Sequence, residues 1–237
     1  MAEQMTPELI KEQEKLNSGT SKTNNEQFDR DGYLVIKNLW NPEELYRPVP
    51  ELRGQSNYWG KREDQFNYNP LENQVEGSFS CYWHPQYRSI HSGIRLKLEK
   101  VIGSQLYNTY YYDRFYFSGQ ALTPHCDRPS CEISVTVHIS TNLSNPWPIW
   151  IKTPDTEEKI GEERSVILNA GDGMIYKGCE RPHWRDPMPG GKAIKKLFGK
   201  TDYYHQIFFH YVLQDGQRAH CAWDKAQIGR ASCRERV

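Results

Sequence analysis

The residues of this chain whose types and spacing suggest chemistry are two histidines and an aspartate: His125, Asp127 and His183. Two imidazoles and one carboxylate can occupy one face of a divalent metal ion and leave its other positions open. In a β-strand alternate side chains share a face, so His125 and Asp127 would point the same way and Cys126 the other. A second, distant strand would have to bring His183 to the same point.

The segments that precede these residues favour a position at the rim of a barrel. A strand and a glycine-containing turn come before His125, and Pro129 interrupts the chain soon after Asp127. The tight turn 171–173 and a short aliphatic strand likewise come before His183. Both patterns place a metal-binding side chain where a strand ends, so the sequence predicts an open metal site at the edge of a β-barrel.

Helices are predicted mainly in the first half of the chain. Asn41 followed by a proline is typical of a helix start. Apolar residues recur at helical spacing over 85–102, and Gly103 stands where a helix would end. The run 28–36 predicts a short helix end, a glycine turn and a strand, whereas 50–83 has the composition of a loop.

Strands are predicted in the second half, where short β-branched and aromatic runs alternate with clusters of Pro, Gly, Asn and Asp. The predicted strands are 107–117, 132–140, 149–153, 165–168, 173–176 and 203–212. Helices first and strands afterwards indicate a mainly β protein with flanking helices.

The two ends of the chain differ from its middle. Residues 1–25 are polar and charged, and we expect disorder or a short helix there. Residues 26–226 have the length and patterning of one domain. Residues 227–237 resemble translated adapter sequence, and we interpret them as a non-native tail.

Composition and charge exclude several classes of function. Thirty basic and thirty acidic residues leave no net charge, so we expect no nucleic-acid partner, and the basic stretch 192–200 is interpreted as a solvated loop. No apolar run approaches the roughly 20 residues that a bilayer crossing needs. The six cysteines form no C-x-x-C pair and there is no signal-peptide pattern, so we expect a cytoplasmic protein without a membrane partner. The oligomeric state is left open.

Taken together, these motifs resemble those of the double-stranded β-helix dioxygenases that use iron(II) and 2-oxoglutarate. The nearest branch is that of the prolyl hydroxylases and phytanoyl-CoA hydroxylases. The resemblance is carried by the Phe-x-x-Asp-Gly-Tyr motif at 28–33, by His125 and Asp127, by His183 and by the strand 203–212. It covers most of the chain apart from its two ends.

The resemblance implies a jelly-roll, cupin-like fold in which His125, Asp127 and His183 bind iron(II). It implies that 2-oxoglutarate takes two of the remaining metal positions and dioxygen the last. The products would be succinate and carbon dioxide, with oxidation of an aliphatic C–H bond. The predicted function is therefore a hydroxylase acting on a small-molecule or peptidyl substrate.

The chain departs from this family at the residue that binds the distal carboxylate of 2-oxoglutarate. Many relatives have a basic residue about ten positions past the second histidine, where this chain has Ala193. Arg185 follows His183 by two residues, would share its face if the strand continues, and offers a bidentate guanidinium. We therefore predict that Arg185 is the anchor. Further candidates on neighbouring strands are His205, Arg114 and Tyr116.

Two other classes of function stay open. The missing basic residue favours a metal-dependent cupin-type enzyme that does not use 2-oxoglutarate. A non-catalytic β-barrel binding module, with the three residues incidental, is the second. His138 shares a face with Ser134 and Thr136 and is interpreted as a hydrogen-bonded sheet residue. If that face lines the barrel, these three residues could contact the cosubstrate.

Overall fold

The computed structural model describes residues 23, 25–49, 74–190 and 202–223. The basic stretch 192–200, the tail 227–237 and most of the predicted N-terminal segment lie outside these ranges. The domain limits therefore stay a prediction.

Three α-helices lie in the first half of the described chain, as the sequence predicts. They are α1 (Glu26–Asp31), α2 (Pro42–Leu45) and α3 (Arg88–Ile102), the last preceded by a 3-10 turn at Pro85–Tyr87. The side chain of Asn25 accepts a hydrogen bond from the first turn of α1, and Asn41 does the same for α2. Gly103 ends α3 with φ 67°, a left-handed conformation that glycine adopts without strain.

Ten strands follow one another along the described residues. They are β1 (Tyr33–Ile36), β2 (Phe79–Tyr82), β3 (Leu106–Phe117), β4 (Leu122–His125), β5 (Ile133–Thr141), β6 (Ile149–Lys152), β7 (Glu163–Val166), β8 (Gly173–Lys177), β9 (His183–Arg185) and β10 (Tyr203–Leu213). All the pairings between them are antiparallel. The larger sheet has the order β1-β8-β5-β10-β3-β2, and the smaller one has the order β4-β9-β6-β7.

Most of the predicted strands are found, with two differences. The strand predicted at 165–168 lies two residues earlier, at Glu163–Val166, where it pairs with β6. The prediction that about 50–83 is loop-like is wrong at Phe79–Tyr82, which forms β2, and residues 50–73 lie outside the described ranges. This segment becomes a strand because the edge of the long strand β3 supplies its hydrogen bonds, a partner that local sequence does not show.

The larger sheet buries both of its faces. One face packs against the helices, with Ile94 and Leu98 of α3 against Ile207 and Phe209 of β10 in one apolar cluster. On the other face, Ile149 and Ile151 of the smaller sheet pack against Met174 and Tyr176 of β8. Each such side chain contributes roughly 1.5–3 kcal/mol when fully buried. The polar residues of the candidate site lie in this second layer, between the sheets.

No helix in the described part of the chain combines the length and the apolarity that a bilayer crossing requires.

Candidate active site

The three residues singled out by type and spacing come together at one end of the space between the sheets. Strands β4 and β9 pair with His125 opposite His183, and the two imidazole rings lie 4.3 Å apart between centroids. Asp127 Oδ1 lies 3.6 Å from His125 Nε2 and 3.5 Å from His183 Nε2. One ligand atom from each of the three residues lies within 4.8 Å of the others, which is a spacing that a single ion could bridge.

Asp127 reaches this point by a different route from the predicted one. Strand β4 ends at His125, so Asp127 is not the next inward residue of the same strand, and that part of the prediction is wrong. The Asp127 N–H instead donates to Gly178 O, at 2.8 Å, in the loop between β8 and β9. Pro129 then begins a 3-10 turn, so Asp127 lies in the connection between β4 and β5 and is held there by the β8–β9 loop.

Backbone carbonyls orient both imidazoles. His125 Nδ1 lies 2.9 Å from Thr123 O, and His183 Nδ1 lies 3.0 Å from Arg181 O. A carbonyl oxygen only accepts hydrogen bonds, so in the neutral rings the proton sits on Nδ1. Each Nε2 then carries the lone pair that a metal needs; that of His183 faces Asp127, and that of His125 accepts from the Gln74 amide at 2.9 Å, a bond that a metal would replace.

The charge states of the site also suit a metal. Burial lowers the pKa of His183 to about 4, and the nearby Asp127 carboxylate only partly offsets this. Burial alone would raise the pKa of Asp127, but His183 and His125 outweigh it and hold that pKa well below its usual range. Near neutral pH the carboxylate is therefore ionised and the His183 imidazole is neutral, the forms that bind metals.

Arg185 is a buried cation on the same strand as His183. Strand β9 continues to Arg185, so its side chain shares the inward face with His183, and only 2 % of it is exposed. Nη1 donates to Trp147 O and Nη2 to Gln206 Oε1, both at 2.7 Å. Nε has no hydrogen-bond partner, and no carboxylate pairs with this guanidinium among the described residues.

Further polar atoms on the same inner face lack partners. Within the described ranges these buried atoms are Thr136 Oγ1, His138 Nε2 and Gln206 Nε2. Gln206 faces His138 across β5 and β10, and the His138 ring stacks on Tyr204, which also lies 4.6 Å from the Arg185 guanidinium. His138 Nδ1 bonds to Leu168 O, as expected of a sheet residue. The face of β5 that carries Thr136 and His138 does line the interior.

Arg114 and Tyr116 lie on the inner face of β3. Arg114 Nη1 donates to Tyr116 Oη at 3.1 Å, and Arg114 Nη2 donates to Gln74 Oε1 at 3.0 Å. Gln74 Nε2 lies 2.9 Å from His125 Nε2, so this chain of contacts runs to the metal end of the site. Arg114 is 1 % exposed and therefore presents a second buried cation to the interior.

His205 points away from this interior. Its Nε2 lies 2.9 Å from Asp113 Oδ2, and its ring stacks on Phe115 at 3.7 Å. Asp113 also accepts from Arg47. We therefore leave His205 out of the proposed cosubstrate pocket, because the twofold alternation of β10 puts it on the face opposite to Gln206.

Sequence reasoning missed two residues of the site, Gln206 and Gln74. The alternation of β10 could have indicated Gln206 once Arg114 was a candidate, since the two are paired across β10 and β3. No local signal marks Gln74. Three tryptophans lie near the site: Trp147 is buried against Arg185, whereas Trp150 and Trp184 stack on each other with partial exposure.

Neither a protein-family model nor a curated protein sequence matches the chain. Several solved structures do match it in fold. A prolyl-4-hydroxylase from Pseudomonas putida superposes with a TM-score of 0.52 at 15% identity, over 78% of this chain and 95% of that one. The non-heme alpha ketoglutarate dependent epimerase SnoN, from nogalamycin biosynthesis, gives a TM-score of 0.51 at 12% identity, over 84% of this chain and 83% of that one.

HygX from Streptomyces hygroscopicus, solved with nickel and 2-oxoglutarate bound, gives a TM-score of 0.50 at 10% identity, over 78% of this chain and 84% of that one. Likeness at such low identity is likeness of fold. It confirms the predicted fold class: the chain has the double-stranded β-helix fold of the iron(II)- and 2-oxoglutarate-dependent oxygenases.

Proposed function

We propose that this protein is an iron(II)- and 2-oxoglutarate-dependent oxygenase that hydroxylates an aliphatic C–H bond. The observation that carries the proposal is the convergence of His125 Nε2, Asp127 Oδ1 and His183 Nε2, with the buried Arg185 two residues along β9 from His183 and without a carboxylate partner in the described chain.

The three residues fit iron(II) by their donor chemistry. Two neutral imidazole nitrogens and one carboxylate oxygen are the ligand set of non-haem iron(II) oxygenases, and they leave coordination positions for small molecules. His125, Asp127 and His183 would hold the ion. The carbonyl bonds to both Nδ1 atoms support this role, because they fix each ring with Nε2 directed at the shared point.

Arg185 supports the use of 2-oxoglutarate. A buried guanidinium without a counter-charge is costly, so an anionic ligand at this place would lower the free energy of the bound state. The distal carboxylate of 2-oxoglutarate supplies that charge in a planar form that a guanidinium can bind with two hydrogen bonds. Thr136, His138 and Gln206 offer further polar atoms beside it.

When bound, iron(II), 2-oxoglutarate and dioxygen together would supply the oxidant, with succinate and carbon dioxide as co-products. This chain would bind the metal, orient the cosubstrate and exclude water. Ile149, Ile151 and Met174 are fully buried between the sheets and would keep bulk water from the pocket. Arg114 and Tyr116 are the alternative anchors, on the wall that faces Gln74.

The matched proteins support the class, but the reactions for which they are named differ from one another. HygX was solved with nickel and 2-oxoglutarate, whereas SnoN is an epimerase and the Pseudomonas putida protein a prolyl-4-hydroxylase. One fold therefore serves different reactions. Hydroxylation of such a substrate, a cytoplasmic location and the lack of a nucleic-acid partner remain parts of this proposal.

The direct test is turnover of 2-oxoglutarate. The full chain, reconstituted with iron(II) and ascorbate, is incubated with 2-oxoglutarate under air, and succinate is measured with and without a panel of peptides, amino acids and metabolites. We expect slow succinate formation without substrate and stimulation by the correct class. A His183→Ala variant is the control and should form none.

The rival classes predict other results. A metal-bound protein that consumes dioxygen but forms no succinate would be a cupin-type enzyme that does not use 2-oxoglutarate. A protein that takes up no iron, cobalt or manganese, and is unchanged by His125→Ala, would be a binding module. Either result contradicts the proposal.

A further inference from the structure

We infer that Ser134, itself oriented by His210, holds the Asp127 carboxylate so that only Oδ1 is presented to the metal. Ser134 is then a positioning residue that acts through Asp127. The inference rests on the proposed metal site and goes beyond it, since it assigns a task to side chains outside the three ligands.

The two oxygens of Asp127 have different surroundings. Oδ1 faces His125 Nε2 and His183 Nε2, at 3.6 and 3.5 Å. Oδ2 accepts a hydrogen bond from Ser134 Oγ at 2.9 Å. The carboxylate is therefore divided between a metal-facing oxygen and one bound to β5. Such a division favours monodentate ligation and keeps a further metal position open.

The His210 contact is compatible with a serine hydroxyl that donates to Asp127. His210 Nδ1 lies 2.9 Å from Ser134 Oγ. A serine has one hydroxyl hydrogen, and the carboxylate oxygen can only accept. When that hydrogen goes to Asp127, His210 Nδ1 has to be the donor to the serine oxygen. The sequence of donors then runs from His210 to Ser134 to Asp127.

The position of His210 is well defined by its packing. Its ring stacks on Tyr110 at 4.5 Å, and 2 % of the residue is exposed. Ser134 Oγ also lies 3.2 Å from Cys131 O, a longer contact that would compete for the hydroxyl hydrogen. A hydrogen bond to an ionised carboxylate is stronger than one to a neutral carbonyl, so Asp127 takes precedence.

Backbone closes the remaining side of the carboxylate. A Cβ added at Gly178 would meet Asp127 Oδ2 at 2.5 Å and Ser134 Oγ at 2.7 Å. Gly178 O accepts from the Asp127 N–H at 2.8 Å. The absence of a side chain at Gly178 thus lets the β8–β9 loop lie directly against the acid and the serine. Rotation of the carboxylate is restricted from both sides.

A second group of possible ligands provides the competing interpretation. Asp127, Cys131 and His210 also offer one ligand atom each within 4.8 Å of one another. The Ser134 hydroxyl, however, bonds to both His210 Nδ1 and Asp127 Oδ2, and Cys131 Sγ lies 3.2 Å from Tyr110 Oη. We therefore assign this side to orientation of Asp127, and the metal to the Oδ1 side.

The test is cobalt(II) binding to the full chain, followed by the visible d–d bands, without 2-oxoglutarate or substrate. Loss of a residue that orients a metal ligand typically costs tenfold to a hundredfold in metal affinity. We expect Ser134→Ala to weaken cobalt binding by about that factor and to change the d–d bands, because Oδ2 is released. Ser134→Thr keeps the hydroxyl and should restore both. Ser140→Ala is the matched control, since it removes a hydroxyl of the same strand that has no partner.

Three outcomes would overturn the inference. The first is a Ser134→Ala protein with wild-type affinity and spectrum, and the second is an equal loss in Ser140→Ala. The third is a thiolate-to-cobalt band that Cys131→Ser removes, which would place the metal on the other side of Asp127. If Ser134→Ala does not fold, His210→Phe replaces it, and we expect that variant to weaken cobalt binding about fivefold. A His210→Phe protein with wild-type cobalt affinity also contradicts the inference. A wild-type chain that binds no cobalt at all would instead contradict the proposed function.

Discussion

The two faces of strand β10 bury polar side chains in opposite ways. On the helix-facing side, His205 bonds to Asp113, and both oxygens of Asp113 accept from Arg47 Nη1 at 2.9 and 3.0 Å. On the interior side, Gln206 accepts from Arg185, whose guanidinium has no carboxylate partner in the described part of the chain. The buried charges on the helix-facing side are paired with opposite charges, whereas the Arg185 charge on the interior side is not paired within the described residues.

This difference separates a structural polar group from one prepared for a ligand. A buried charge that serves stability is compensated within the protein, because an uncompensated one costs several kcal/mol. A buried cation surrounded by polar atoms without partners points instead to an anion from outside. Four tests would break or sharpen the comparison, and they are ordered by the size of the expected effect.

The largest effect is expected on the helix-facing side. Arg47→Met should lower the free energy of unfolding by about 3–5 kcal/mol, because it leaves the Asp113 charge buried without its main counter-charge. Urea denaturation followed by circular dichroism measures this. The double variant Arg47→Met/Asp113→Asn should recover much of the loss, since the uncompensated charge is gone. An Arg47→Met protein as stable as the wild type would contradict the assignment of this pair to stability.

On the interior side the same kind of substitution should affect binding instead of folding. We expect Arg185→Met to weaken 2-oxoglutarate binding by about 100-fold or more, the loss of two charge-assisted hydrogen bonds. Without 2-oxoglutarate its free energy of unfolding should be unchanged or raised, since an unpaired buried cation is removed. Calorimetric titration of the nickel-loaded protein tests the first expectation, and urea denaturation the second.

Arg114→Met is the comparison variant for that experiment. It removes the other buried cation of the interior, which bonds to Tyr116 and Gln74. A larger loss of 2-oxoglutarate affinity in Arg114→Met than in Arg185→Met would move the anchor from β9 to β3 and contradict our assignment.

A third test uses pH and one buried imidazole from each face. Burial lowers the pKa of His91, which belongs to α3 and stacks on Phe209 of β10, to about 3, and that of His138, in the interior, to about 4. The unfolded chain binds these protons below about pH 6.5 and the folded chain does not, so stability falls as the pH drops. Between pH 7 and pH 5 the free energy of unfolding of His91→Phe should therefore fall by about 2 kcal/mol less than that of the wild type.

His138→Phe should reduce the same pH dependence, since its folded pKa also lies below 5. Only this variant should also weaken 2-oxoglutarate binding, because His138 Nε2 is one of the interior atoms without a partner. Urea denaturation at the two pH values and calorimetric titration give both quantities. Equal binding losses in the two variants would argue that the faces are not distinct.

The smallest effect is expected for Tyr116→Phe. It removes one acceptor of Arg114, which keeps its bonds to Ser80 and Gln74. The free energy of unfolding should therefore change by about 1 kcal/mol. The dissociation constant of 2-oxoglutarate should change less than about threefold, which is less than the loss of one hydrogen bond to the ligand would cause. A tenfold loss measured by calorimetry would show that Tyr116 contacts the cosubstrate directly.

The sequence alone determined the residue types of the candidate metal site and most strand positions. It also determined that His183 and Arg185 lie on the same face of one strand. These follow from local rules: the twofold alternation of strands and the preferences of Asn, Pro and Gly at the ends of helices and strands. They act over a few residues and can be read from the chain.

The tertiary structure decided the rest. It brought Asp127 to the two histidines from beyond the end of its strand, turned Phe79–Tyr82 into β2, and set Ser134 and His210 behind the acid. A register shift between His205 and Gln206 also alters how β10 faces β5. Bulges, strand partners and loop contacts depend on residues far apart in the chain, so local patterns do not specify them.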